Sequence, residues 1–444
     1  MWWKQFLVMP VALSFLLGGS SPQASKDDCL ASLSDKDLLA HRLVLRSEVN
    51  PQSLYKRVWN LIKDEYYDSK YNNQSWDRWE HRYDGKLRTL EDAHKAVETM
   101  VASLGDRYTR FLDHDAFDDE KSQIDAKLCG IGVQIGLDKS SKRVIVITPI
   151  EDTPASDAGV QPSDEILEIN GKSTKGFTVE DAAKLIRGPV NTPVHLVLGR
   201  AGARVKKDIV RREIPIKAVQ SVKMIDSDVG YVRLSSFISQ KANLEMQTAI
   251  DKIDKMKAKG LILDLRDNPG GLLSNAIEIS NMFLESGNVV STVDRDGYKT
   301  PAMCEGHPLW RKPLVVLINK NSASASEITA GALHDNGRAT LVGQNSFGKG
   351  LVQGINRLED GSGINITIAQ YLTPADTNIH KKGIKPDVVV EVKSEDESQG
   401  PWWNEHTPGV LRSPLDGKDL QLKSAAEVLH KKIEEAEKLA SEVH

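Results

Sequence analysis

Cysteine is scarce: the 444-residue chain holds three, Cys29, Cys129 and Cys304. So sparse and odd a set builds no disulfide framework; one bridge at most can form, and sequence does not choose its partners. No CxxC or HExxH occurs, and the eleven histidines show no metal-ligand spacing. Neither a metal nor a cofactor is therefore expected. A net charge of -4 leaves no basic excess, which argues against nucleic acid as the main partner. There is no internal repeat. Long apolar runs are also missing, with one exception at the start. Lys4 precedes FLVMPVALSFLL (6–17), and the small residues GGSS follow. That run is too short for a comfortable membrane span and suits a signal peptide over residues 1–24, with an uncleaved anchor as the alternative. An exported, soluble mature chain is expected, in the bacterial periplasm first and a thylakoid lumen second.

The length suffices for two or three domains. Residues 25–115 read as a mostly helical region: SLYKRVWNLIKDEYY (53–67) and EDAHKAVETMVASLG (91–105) carry apolar residues at helical intervals. Residues 203–393 alternate strands, such as GYVRLSSF (230–237), GLILDLR (260–266) and PLVVLIN (313–319), with helical stretches at 243–260 and 272–284. This is an α/β pattern. The acidic SEDESQG (394–400) looks like a linker, and 418–443 reads as a terminal helix that packs or mediates self-association.

Between these regions, residues 116–202 change character. Closely spaced glycines in KLCGIGVQIG (127–136) precede a strand, RVIVITPI (143–150), then ASDAGVQPSDEILEINGKS (155–173), a helix near 180–188 and a strand at 193–200. A lone GIG also suits an ordinary tight turn, but the ordered set resembles a PDZ domain. The resemblance implies capture of an extended chain end by strand addition. Gly130 and Gly132 would let loop amides approach a terminal carboxylate, and Ile131 and Val133 would line the groove.

SASASEI (322–328) lies between the apolar run PLVVLINK and the helical stretch EITAGALHDNGRA. The serines thus sit at a strand-to-helix turn, where unpaired amides attract negative charge. A serine here could attack a carbonyl while nearby amides hold the oxyanion. The same spacing, Ser324 with Glu327 three residues on, also makes a plain capping box. FGKGLVQ (347–353) places Lys349 between two glycines. A desolvated lysine can serve as a general base, although a surface lysine in a flexible turn reads the same way. The glycines of DLRDNPGG (264–271) could present amides to an oxyanion or merely end a strand. His334 and Asp335, roughly 15 Å further along a continuous helix, cannot touch Ser324.

Together LGDRYTRFL (104–112), the PDZ stretch, LILDLRDNPGGLL (261–273), SASASEI, FGKGLVQ, YLTP (371–374) and GIKPD (383–387) resemble the C-terminal processing peptidases, or tail-specific proteases, over roughly residues 50–393. The resemblance implies a multidomain α/β (α+β) fold: a helical N-terminal part, a PDZ domain over 116–202 inserted before a crotonase-like protease core over 203–393, and a linker and helix over 394–444. It implies an exported serine endopeptidase with a Ser–Lys dyad. Ser324 matches the nucleophile, Lys349 the general base and Gln353 the residue that orients the lysine; Gly270 and Ala325 match the donors of oxyanion amides. Ser322 and Ser326 remain turn residues. Substrates would be proteins with accessible apolar C-terminal tails; an adaptor protein and a homo-oligomer are compatible with this reading. Three positions depart from the family pattern: Arg107 replaces a proline, Asn191 a glycine, and ADTNIHKKG (375–383) lacks a usual glycine. Rival readings are a non-catalytic peptide-binding protein on the same scaffold and a Ser–Lys amidase or esterase.

Overall fold

The computed structural model describes residues 49–125, 127–138, 141–150, 152–215, 217–391 and 419–442. The expected signal peptide, Cys29 and the acidic linker lie outside them. Cys129 and Cys304 do not pair with each other. Among the described residues, no helix is long and apolar enough to cross a membrane.

The N-terminal module holds helices α1 (Pro51–Glu65) and α2 (Leu90–Ala102), then strand β1 (Arg110–Leu112) and α3 (His114–Ile124). Asn50 caps α1, and a full Thr89–Asp92 capping box starts α2. Their apolar stripes meet around Tyr55, Trp59, Val97 and Met100.

The PDZ module follows: β2 (Lys127–Gly130), β3 (Val133–Leu137), β4 (Val144–Pro149), the single turn α4 (Pro154–Asp157), β5 (Glu165–Ile169), β6 (Lys172–Ser173), α5 (Val179–Ile186), β7 (Pro193–Arg200), β8 (Ala203–Val210) and β9 (Arg212–Pro215). β3-β4-β5-β7-β8 form one antiparallel sheet with β3 at its edge. The pair β2–β9 joins the module to the rest of the chain. Asn191 adopts φ 67, a left-handed conformation that asparagine tolerates, so the missing glycine is accommodated.

The core then runs β10 (Val219–Met224), β11 (Val229–Leu234), α6 (Ala242–Lys255), β12 (Gly260–Asp264), α7 (Leu273–Asn281), β13 (Asn288–Val293), β14 (Lys299–Met303), β15 (Leu314–Ile318), α8 (Ala325–Asp335), β16 (Thr340–Gly343), β17 (Leu351–Arg357), β18 (Gly363–Leu372), β19 (Val388–Val389) and α9 (Leu420–Glu442). One sheet has the order β10-β11-β12-β15-β16-β19 and is parallel from β11 onward. All five residues of β12 and of β15 are buried, as expected of strands covered on both faces. Alternate residues divide between the faces. Leu261, Leu263, Val316 and Ile318 pack with α6, α7 and α8, whereas Ile262, Val315 and Leu317 meet Leu422, Ala425 and Leu429 of α9. The terminal helix is therefore a layer of the core. In the second sheet, β18 pairs with β1, β13 and β17, and Ile364 and Ile366 of β18 join the N-terminal helical cluster. That pairing carries residues 106–110 to the end of the core where the serines lie.

Candidate active site

Ser324 occupies the turn between β15 and α8 with φ 56 and ψ -116. A side-chain-bearing residue pays strain there, and such conformations persist where surrounding structure enforces them. The enforcement is visible. Tyr371, from β18, donates its hydroxyl to Ser324 O at 3.1 Å. Ser322 Oγ donates to Leu265 O, and Ser326 Oγ to Asn268 O, both at 2.8 Å. Ala323 N–H donates to the same Asn268 carbonyl at 3.0 Å. The flanking serines thus stitch the turn to loop 265–271.

Gly270 lies directly against this turn. A Cβ there would sit 2.6 Å from Ala323 O and 2.8 Å from both Ala325 N and Ser324 Cβ, and its φ is 95. Only glycine permits the approach. Gly270 N–H donates to Asn268 Oδ1 at 2.9 Å, so this amide already has an acceptor in the arrangement found. Ala325 N begins α8 one residue after Ser324.

Glu327 organises the site beyond what a capping box requires. Its carboxylate is fully buried and receives four hydrogen bonds. Oε2 accepts from Ser324 N and Lys349 N, each at 2.8 Å. Oε1 accepts from Gly348 N at 2.7 Å and Ser346 Oγ at 2.5 Å. Burial pushes the carboxyl above its usual range while these donors pull it back. One side chain therefore fixes the backbone of Ser324 and of Lys349 together.

The loop of Lys349 is held from its other side by residues 379–384. Lys381 N donates to Gly348 O at 2.8 Å, and Ile384 N to Ser346 Oγ at 2.6 Å. Gly348, at φ 87, is packed so closely that a Cβ would meet Gly383 N at 2.8 Å. Lys349 Nζ lies over the Tyr108 ring, 4.9 Å from its centroid. Burial depresses the ammonium, Arg110 and Arg107 add to this, and Glu120 and Asp106 oppose it. Among the described residues, no hydrogen bond joins Lys349 Nζ to Ser324 or Gln353. Gln353, on β17, keeps a buried Nε2 without a partner among the described residues. Ser324, Gly270, Ala325 and the Lys349 backbone are thus brought together, with the lysine side chain resting on Tyr108.

Known proteins share this arrangement of segments. Two family models match, Peptidase family S41 over residues 228–390 and PDZ domain over residues 121–199. The chain is 40% identical over 347 residues to a carboxyl-terminal-processing protease of Synechocystis sp., spanning 77% of this chain and 81% of that one. It is 39% identical over 329 residues to the carboxy-terminal processing protease CtpA of Bacillus subtilis, spanning 73% and 70%. The chain belongs to the C-terminal processing proteases of peptidase family S41. A solved photosystem II D1 C-terminal processing protease matches with 31% identity and a TM-score of 0.51, over 77% of this chain and 93% of that one.

Several residues of this protease escaped the sequence reading. Tyr108, Tyr371 and Asn268 lie within quoted motifs, but the roles just described depend on long-range pairing. Arg107 stacks on Tyr108 and Phe347, with its carbon 4.8 and 5.4 Å from the two ring centroids. His380, within the segment lacking the usual glycine, lies edge-on to Tyr108. Asp335 reaches past its own turn: Oδ2 accepts from Thr373 Oγ1 at 2.5 Å and Ala375 N at 3.0 Å, tying α8 to the end of β18. In the PDZ module, Ile131 is 1% exposed and belongs to the apolar core, so it can form a groove's floor but not its wall. Val133, on the edge strand, is half-buried. Gly130 ends β2, and Gly132 follows two residues later with its carbonyl accepting from Ile150 N at 2.9 Å.

Glu327→Gln keeps the shape but sets an amide NH2 among donors. We expect kcat to fall roughly a hundredfold or more, because one of two oxygens that each serve two donors is lost and the carboxylate no longer holds the Ser324 and Lys349 turns in register. Steady-state kinetics of the folded variant check this; a kcat within threefold of wild type would show that the carboxylate does not align the pair.

Proposed function

We propose that the protein is an exported endopeptidase that recognises the apolar C-terminal tails of proteins through its PDZ domain and cleaves peptide bonds with a Ser324–Lys349 dyad. The observation that carries the proposal is the single buried carboxylate of Glu327 bonded to the amides of both residues. A lysine alkyl chain on that anchored backbone has the reach to leave Tyr108 and approach Ser324. Gln353 would then orient the amine from β17.

In this mechanism, neutral Lys349 takes the Ser324 hydroxyl proton as Oγ attacks the scissile carbonyl. The carbonyl oxygen becomes an oxyanion held by Ala325 N–H and by Gly270 N–H, which exchanges Asn268 Oδ1 for the new acceptor. Collapse expels the amine, which receives the proton from Lys349, and leaves an acyl-enzyme. Water, deprotonated by Lys349, attacks the ester, and as the new C-terminus leaves Lys349 returns the proton to Ser324 Oγ. Loop 130–133 and the edge of β3 would hold the substrate's own tail by strand addition. Tail binding favours the conformer in which Lys349 meets Ser324, so the PDZ domain switches the site as well as tethering the substrate. The bacterial periplasm, with a thylakoid lumen as the alternative, supplies unfolded exported proteins of this kind. An adaptor that presents substrates and assembly into a homo-oligomer both fit this role.

The test compares one unfolded substrate carrying an apolar tail with the same substrate ending in two charged residues. The charged tail should lower kcat/KM at least tenfold, because an apolar groove cannot cheaply desolvate charge. Under switching, kcat falls too; under tethering alone, only KM rises. Equal constants for both tails would sink tail recognition. Absence of cleavage with either would favour a peptide-binding protein on the protease scaffold.

A further inference from the structure

The terminal helix reaches the catalytic loop through a buried ion pair. Arg266 follows β12, four residues before Gly270, and is 4% exposed. Its Nη1 and Nη2 donate to the two oxygens of Asp419, both at 2.9 Å. Nη1 also reaches Gln421 Oε1 at 3.2 Å, and Nε reaches Asp264 Oδ1 at 3.0 Å. Asp419 in turn caps α9, accepting from Leu422 N at 3.0 Å. Asp264, at the end of β12, is fully buried and also accepts from Tyr231 Oη at 2.7 Å. The guanidinium is thus clamped between one carboxylate from the sheet and one from the terminal helix. A bidentate pair fixes orientation as well as distance.

From Arg266 the path to the nucleophile is short. Asp267 N donates to Asn319 Oδ1 at 2.9 Å, and Asn268 O receives Ala323 N and Ser326 Oγ. Gly270 then lies against Ser324. We infer that Asp419 is a positioning residue for the reaction: the C-terminal helix locks Arg266 and thereby holds the Gly270 loop in register with the nucleophile. This rests on the assignment of Ser324 and Gly270 made above. The helix is then part of the catalytic scaffold rather than an appended packing or self-association element. A loop shift near 1 Å is enough to cost about a hundredfold in rate.

Two full-length variants separate this role from simple sheet coverage. Asp419→Asn weakens the bidentate clamp and leaves the apolar face of α9 intact. Leu429→Ala leaves the clamp and opens a cavity between α9 and the sheet, where Leu429 packs. Each is measured for Tm, for kcat and KM on one unfolded substrate, and for affinity toward a peptide boronate that forms a tetrahedral adduct on Ser324. Asp419→Asn is expected to lower kcat and boronate affinity together by roughly tenfold or more, with KM within twofold. Leu429→Ala should lower Tm while kcat and boronate affinity of the folded protein stay within twofold. If Asp419→Asn does not fold, Asp419→Glu, which keeps the charge and lengthens the arm, carries the same comparison. Unchanged kcat and boronate affinity in the Asp419 variant would overturn the inference, as would equal losses in Leu429→Ala. Wild-type protein that forms no boronate adduct on Ser324 would remove the nucleophile assignment and this inference with it; a wild-type adduct matched by the variant removes only the role of Asp419.

Discussion

Ser324→Ala should reduce peptide-bond cleavage by roughly four orders of magnitude or more while leaving the fold intact, since no other group can form the acyl-enzyme. The two effects separate because of how this serine is held. Its side chain belongs to the capping box at the start of α8, and loss of a capping side chain costs only about 1 kcal/mol. Its backbone is fixed by Tyr371 and Glu327, which bond to Ser324 O and N rather than to Oγ. Serine and alanine both carry a Cβ, so the left-handed strain at φ 56 is the same in each. The same atoms argue for reactivity: the hydroxyl sits on an enforced turn, directly against a glycine loop. Turnover of an unfolded protein substrate and a thermal melt of the variant suffice. Near-wild-type cleavage by a folded alanine variant would place the nucleophile elsewhere.

Much of this arrangement is legible in the sequence. The apolar runs at 260–266 and 313–320 are buried strands, and SASASEI lies at a strand-to-helix turn, because interior parallel strands and helix starts leave local signatures. What stayed hidden is long-range. Glu327 reads as a cap from its three-residue spacing to Ser324, yet three of its four donors come from 346–349, brought near by the chain's return after β16. Tyr108 meets Lys349 only because β1 pairs with β18, and a three-residue strand has no period to recognise. Asp419 meets Arg266 across 153 positions of sequence, which no local pattern encodes. Ile131 is expected from the PDZ resemblance to line the groove; its side chain packs into the module's apolar core, a burial that the two flanking glycines do not signal.

Lys349→Arg should fail to restore the activity lost in Lys349→Ala, each falling by roughly a hundredfold to ten-thousandfold. A base must be neutral to accept the serine proton, and a guanidinium does not become neutral in a protein. For the native lysine the sign is set by its surroundings. Burial disfavours the ammonium, and the Arg110 and Arg107 cations disfavour it further, so neutralisation occurs at lower pH than the ordinary lysine value of about 10.4. Activity is therefore expected to rise with pH through that depressed midpoint and to fall on acidification as Lys349 gains its proton. Arg110 offers an independent check. It pairs with Glu120 at 2.8 Å, so Arg110→Ala removes a cation near Lys349 and also uncovers an anion. Both changes favour the ammonium, and the rising limb of the kcat/KM profile should move to higher pH without loss of the plateau. Robust turnover by the arginine variant would mean that another group is the base. A profile unmoved by Arg110→Ala would mean that the rising limb does not belong to Lys349.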